Sequence, residues 1–240
     1  MSFFLKDLTA HVASNKNEDP VSCAKNYFQQ VSSGSHVIGT DYTYVIESSH
    51  NRKSLIYCLI KAFKNFPDNT ELTAVEFYLL IESIVSNFPK SIVMESLISI
   101  ENTVPGSSNT VSSKFQFKDI AMAVYIQVLY DEWLKLMEEF FREENTLNFV
   151  SLYRIKAQME DLQINYATTV FQPSLAAVHS AMEGTTAATS PDGDMTYDQF
   201  RKCLFVSKSF AYELYSVVSV VNASNYIRPT IPSAEVPSLV

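Results

Sequence analysis

Carboxylates crowd one stretch of this sequence. Asp131, Glu132, Glu138, Glu139, Glu143 and Glu144 all fall within residues 131–144. Paired carboxylates can divide acid and base roles when their surroundings push their pKa values apart. On one long helix, however, such a run reads as a solvated face. The four histidines, His11, His36, His50 and His179, show no spacing of the HExxH kind, so each reads as a surface or structurally satisfied residue. Cys23, Cys58 and Cys203 stand far apart and form no metal-site pair, as expected of a reduced intracellular chain. No GxSxG, CxxC or GxxxxGK occurs. The expectation is a protein that is no enzyme, with no catalytic residues, no cofactor and no metal site.

Three loop-to-helix segments come closest to binding chemistry. "LTAVEF" (72–77), "FQFKDI" (115–120) and "MTYDQF" (195–200) each follow a polar loop and lead into an apolar helix. They read like the second half of an EF-hand. Calcium then needs oxygen ligands at loop positions one, three, five and twelve. Those positions hold Asn65, Pro67, Asn69 and Glu76 in the first segment. They hold Ser108, Thr110, Ser112 and Asp119 in the second, and Ala188, Ser190, Asp192 and Gln199 in the third. None begins with a carboxylate, so no tight calcium binding is expected. The same segments also read as three ordinary N-capped helices, Thr73 and Glu76 forming a capping box.

The elements that would carry these residues are helical. A chain of 240 residues, 47% hydrophobic, can bury a sizeable core. Five glycines are few for a Rossmann or phosphate-loop enzyme. A net charge of −8 with no basic run speaks against nucleic acid and anionic membranes. The opening "MSFFLKDLTAHV" lacks a signal-peptide pattern, and no apolar run is long enough to span a bilayer.

Periodicity places Phe4, Leu5, Leu8 and Val12 on one helical face, and Val21, Ala24, Phe28 and Val31 on another opened by Asp19 and Pro20. "VIGTDYTYVIES" reads as extended or irregular. Leu55, Leu59, Ala62, Phe63 and Phe66 form a wide apolar face, with Ser49 or Asn51 able to cap that helix. Helices follow over "TAVEFYLLIESIVSNF" and "SIVMESLISIE", and a loop over "NTVPGSSNTVSS". The longest helix spans "FKDIAMAVYIQVLYDEWLKLMEEFFREEN", its first half apolar nearly all round and therefore buried. "VSLYRIKAQMEDLQINYA" continues helical, then "PSLAAVHSAME", then one or two helices over "TYDQFRKCLFVSKSFAYELYSVV". Prolines 229, 232 and 237 make residues 222–240 an extended tail. The fold class is all-α: docking helices over 1–35, a helical body over 36–221, then the tail.

"NKNEDPVSCAKNYFQQV", with its aromatic pair Tyr27 and Phe28, resembles the second helix of the RII-alpha type dimerisation/docking module, and "FLKDLTAHV" resembles the first. The order "YFQQVSSGSHVIG", "SSHNRKSLIYCLIKAFKNF", "LTAVEFYLLIESIVSNFP", "FQFKDIAMAVYIQVLYDEWLKLMEEFF" resembles the centriolar satellite-associated tubulin polyglutamylase complex regulator family. More distantly, it is similar to the first non-catalytic subunit of that complex. His36, His50, Asn51, Arg52, Glu76 and Glu132 are among the residues that carry the likeness, which covers roughly residues 5–145 and then "MTYDQFRKCLFVSK".

The resemblance implies a non-catalytic subunit that binds protein partners and places a separate ligase at centriolar or ciliary microtubules. Its docking groove would use Leu5, Leu8, Val12, Val21, Ala24 and Phe28 to receive an amphipathic helix. The module would pair with a second copy or with another docking subunit. The same residues could instead pack on the chain's own body. An axonemal or other cytoskeletal docking protein using the same module is the alternative. The expected location is cytoplasmic and cytoskeletal, with no nucleic acid and no membrane as partner.

Overall fold

A computed structural model describes residues 2–15, 19–67, 69–101, 114–143, 150–167, 169–183 and 194–219. The fold is all-α, with eleven α-helices, one 3-10 turn and four strands of two or three residues in that range. Two helices open the chain, α1 (Ser2–Ser14) and α2 (Pro20–Ser33). A 3-10 turn (Ser35–Val37), α3 (Tyr42–Ile46) and α4 (Ser49–Ala62) follow.

The body is then built from two short antiparallel ribbons and the helices that leave them. Strand β1 (Glu71–Thr73) leads into α5 (Ala74–Glu82) and pairs with β2 (Lys114–Gln116), so that Leu72 lies opposite Phe115. Strand β3 (Val150–Ser151) leads into α8 (Leu152–Tyr166) and pairs with β4 (Asp194–Met195), so that Val150 lies opposite Met195. Helix α6 (Lys90–Glu101) precedes the first ribbon's return strand, and α9 (Leu175–Glu183) precedes the second's. The three segments singled out in the sequence all sit on these ribbons. A fourth, starting at Val150, completes the second ribbon.

Capping chemistry sets the helix starts. The Thr73 hydroxyl accepts from the Glu76 N–H while the Glu76 carboxylate reaches back to Thr73, and Thr196 and Gln199 repeat the device at α10 (Tyr197–Val206). Each box satisfies donors that the first turn leaves open.

Helix α7 (Phe117–Glu143) is the core's axis, buried on every side from Ala123 to Tyr130. It breaks helical geometry at Tyr130 (φ −110°, ψ 19°). No proline or glycine stands there. The Tyr130 ring instead stacks on Phe171 at 5.6 Å and leans on Phe210 at 5.4 Å. Trp133 is buried one turn later, as expected. Helix α11 (Lys208–Ser219) buries Phe210, Leu214 and Val218 against α9, α4, α10 and α7. Glu213 accepts the Ser174 N–H at 2.6 Å, and also its hydroxyl, which pins α11 to the start of α9.

Several expectations need correction. Residues 42–46 are helical, because the Asp41 carboxylate caps Thr43 N–H at 2.9 Å. Ser48, not Ser49 or Asn51, caps α4, accepting from Asn51 N–H at 3.1 Å. Ala62 is exposed at the end of α4 while Leu55, Leu59 and Phe63 are buried. Helix α5 stops at Glu82, and a turn carrying Asn87 at φ 55° follows. Residues 150–151 are extended, held by the ribbon. The last helical stretch, expected as one helix or two, is two, parted at Ser207. The expected loops at 102–113 and 184–193 and the tail over 222–240 lie outside the described residues. Among the described residues no helix is long and apolar enough to cross a membrane.

Candidate docking surface

Helices α1 and α2 form a hairpin whose geometry starts from local chemistry. The Asp19 carboxylate accepts the Ser22 N–H at 3.0 Å and caps α2, with Pro20 supplying the fixed φ of a first helical turn. Gly34 ends the helix at φ 71°, a left-handed cap that a side chain would strain.

Each helix turns one face inward. On α2 that face is Cys23 and Tyr27, 1% and 3% exposed. The Asp7 carboxylate of α1 accepts two hydroxyls at 2.7 Å, from Tyr27 of α2 and Tyr44 of α3. It therefore ties both helices of the hairpin to the body. Phe4 meets the His50 ring edge-on at 5.2 Å, and the Cys58 thiol donates to the Gly34 carbonyl at 3.3 Å. Burial pushes that thiol up to about 11. Burial, then the Asp7 bond and charge, raise the Tyr27 and Tyr44 hydroxyls far above their usual range, so both stay protonated donors.

The residues expected to dock a partner lie on the other face. Leu5, Val21 and Phe28 are 58%, 75% and 48% exposed, and Leu8, Val12 and Ala24 are half-buried. None of the six belongs to the body's core. On α2, Ala24 and Phe28 each follow an inward residue by about 100°, and Val21 stands about 160° from Cys23. The aromatic pair thus divides its work: Tyr27 holds the body and Phe28 faces water. The six residues share one hairpin, and among the described residues Leu5, Val21 and Phe28 stay largely uncovered while Leu8, Val12 and Ala24 are covered in part.

Sequence reasoning missed the inward face. Asp7, Tyr44, His36, His50 and Asn51 build it. His36 Nε2 lies 3.0 Å from Asn51 Oδ1, and the Asn51 amide donates to the Tyr44 carbonyl at 2.9 Å. Nearby, buried Arg52 donates to the Ile46 carbonyl and to Glu132, joining α4 to α7 just past the Tyr130 break. Four of these residues, His36, His50, Asn51 and Arg52, carried the family likeness, which was the available signal.

Catalytic arrangements fare differently. Three of the α7 carboxylates are held in pairs: Asp131 with Lys135 and Glu138 with Arg142, each one turn apart, and Glu132 with Arg52. A small pocket is lined by Ser48, Ser49, Arg52, Glu132 and Phe171, in which Ser48 caps α4 and Glu132 pairs with Arg52. Among the described residues no three metal-ligating side chains converge. The Glu76 carboxylate is engaged by Thr73, whose backbone N–H and then hydroxyl hold it below the usual carboxylate range.

Comparison with known proteins gives a consistent pointer. The chain is 24% identical over 148 residues to centriolar satellite-associated tubulin polyglutamylase complex regulator 1 of Danio rerio, covering 59% of this chain and 43% of that one. It is 20% identical over 145 residues to the Rattus norvegicus protein of the same name, covering 58% and 42%. For the Homo sapiens protein the figures are 22% over 118 residues, 49% and 34%. The chain spans less than half the length of the curated relatives it matches. No family model and no solved structure matches it.

Proposed function

We propose that this chain is a non-catalytic scaffold or regulatory subunit of a tubulin polyglutamylase complex. The similarity to the polyglutamylase complex regulators carries the reading. In it, residues 1–35 are the docking unit and residues 36–221 the body that presents it. Leu5, Leu8, Val12, Val21, Ala24 and Phe28 receive an apolar helix face from another subunit, and the ligase is thereby placed at centriolar or ciliary microtubules. The exposure of Leu5, Val21 and Phe28 supports this, because exposed apolar residues at helical spacing suit a helical partner.

The body is read as two EF-hand-like pairs that work without calcium. Leu72, Phe115 and Met195 all stand eighth in their twelve-residue loops, and so does Val150 in the fourth unit. The register that sets them opposite one another in pairs supports the reading.

The test is affinity purification of the tagged chain from its own cells, with mass spectrometry and an assay of ATP-dependent tubulin glutamylation on the eluate. A stoichiometric ligase with activity is expected. Val21→Asp and Phe28→Asp should each cut ligase recovery at least about tenfold while leaving the melting temperature nearly unchanged, since surface substitutions shift stability by only about 0.5 kcal/mol. Structural axonemal proteins in place of a ligase would move the reading to a cytoskeletal docking protein using the same stripe.

A further inference from the structure

The hairpin is joined to the body largely by rings and polar groups. Among the described residues none before Val37 enters the body's apolar core. The seam centres on two histidines. His36, from the 3-10 turn behind α2, stacks on His50 of α4 at 5.6 Å with an interplanar angle of 29°. Phe4 of α1 closes on His50 from the hairpin side, and Tyr44 of α3 meets His36 edge-on at 6.1 Å. Asn51 is fixed by its own bond to the Tyr44 carbonyl, so its Oδ1 faces His36 Nε2 as an acceptor and that nitrogen carries the hydrogen.

We propose that this seam is an acid-operated release: protonation of the stacked pair His36 and His50 loosens α1 and α2 from the body while the body stays folded.

The charges around the pair support a release over a mere adjustment. Asp7 and, one ring further out, His11 face it from α1, and Tyr27 faces it from α2. Tyr44 faces it from α3, with Glu47 beyond. Lys53 faces it from α4, while Arg52 is turned away to Ile46 and Glu132. Asp7 can offset one added charge, yet it already accepts two tyrosine hydroxyls. The second proton would set two like charges in stacked rings, with the Lys53 ammonium nearby. Burial lowers both imidazoles; bonds to Asn51 and to the Gln30 backbone compensate His36 in part, and His50 is lowered further by His36 and Lys53 against a bond to the Val31 backbone. A group whose folded value is depressed in this way costs nothing above its unfolded value of about 6.5, and destabilises the docked state as pH falls below it. Swinging the hairpin away returns both rings to water and relieves that cost. The ring and hydrogen-bond partners of the two histidines, Phe4, Tyr44 and Asn51, lie on α1, α3 and α4 and none on α7, so the core around α7 does not share that cost. The device operates whatever partner the outward stripe takes.

The experiment is an NMR titration of the full chain between pH 7.5 and 5.0. Imidazole Cε1–H shifts report each histidine, and amide protection factors, corrected for intrinsic exchange, report each helix. Both histidines are expected to titrate below about 6.5. Protection over residues 20–33 should fall at least about tenfold with the same midpoint, while residues 120–137 keep theirs. The variant His36→Gln/His50→Phe keeps an N–H donor for Asn51 Oδ1 and a ring at position 50 for Phe4 to meet, and should hold the hairpin in place at pH 5.0. Hairpin protection that stays constant to pH 5.0 would overturn the proposal. So would a loss shared equally by α7, or a loss that persists in the folded variant. Should the variant fail to fold, the wild-type titration decides alone.

Discussion

Asp7 is one carboxylate with two tyrosine hydroxyls on it, and that makes it the most consequential single side chain of the hairpin. Hydrogen bonds to an ionised acceptor contribute about 1.5–3 kcal/mol each, and neutral ones about 1. Asp7→Asn should therefore weaken hairpin attachment by about 1–3 kcal/mol, read as faster amide exchange over α2 at pH 7.5 with α7 unchanged. Arg52 is the corresponding residue of the body. Its guanidinium is 5% exposed, so Glu132→Ala leaves a buried cation short of its counter-charge. Glu132 itself is 45% exposed, which lets water compensate in part. The expected loss is about 2 kcal/mol, below the 3–5 kcal/mol typical of a fully buried pair, measured by chemical denaturation. Neither role was legible in the sequence. A histidine stack, or an arginine reaching a residue on α7, depends on tertiary placement that no local spacing encodes.

Among the elements, legibility followed length. Helix α7 announced itself because its apolar positions go all round, and only a buried helix can use such a pattern. Its break at Tyr130 stayed hidden, since the usual markers, proline and glycine, are absent and the ring contacts come from Phe171 and Phe210 far along the chain. Helix α3 is too short to show a period, and β3 exists because β4 pairs with it. The capping box at Thr73, by contrast, is local chemistry and could be read directly. The outward stripe was equally readable, though whether the chain covered it was not. Helix α11 gives the clearest energetic test. Leu214 is fully buried between α11 and its neighbours, so Leu214→Ala should cost about 2–4 kcal/mol. Tyr212, on the opposite face and 61% exposed, is the control, and Tyr212→Ala should stay within about 0.5 kcal/mol. Thermal melts of the two variants side by side decide it.

For the whole molecule the telling property is that the proposed docking stripe and the bracing ion pairs are separated. The stripe lies on a hairpin outside the apolar core, and the Arg52–Glu132 pair braces α4 against α7 within the body. A chain of net charge −8 would repel acidic tubulin tails, which agrees with a subunit that places a ligase and leaves gripping the substrate to it. Calcium should be a bystander. With Glu76 engaged by Thr73, and glutamine standing where the last loop of the body would need a carboxylate, 1 mM calcium or an excess of chelator should leave the melting temperature unchanged. Calorimetry showing saturable calcium binding would overturn the calcium-free reading.

The clasp of α11 on α4 also has a consequence for how the protein is made. Helix α4 leaves the ribosome early, yet the side chains that cover it, Phe210, Leu214 and Val218, are among the last of the described residues to appear. At about 5–20 residues per second, α4 waits roughly ten to thirty seconds for its cover. During that interval the nascent chain exposes an apolar face that the finished protein never shows, and a chaperone that recognises such a face has its opening then.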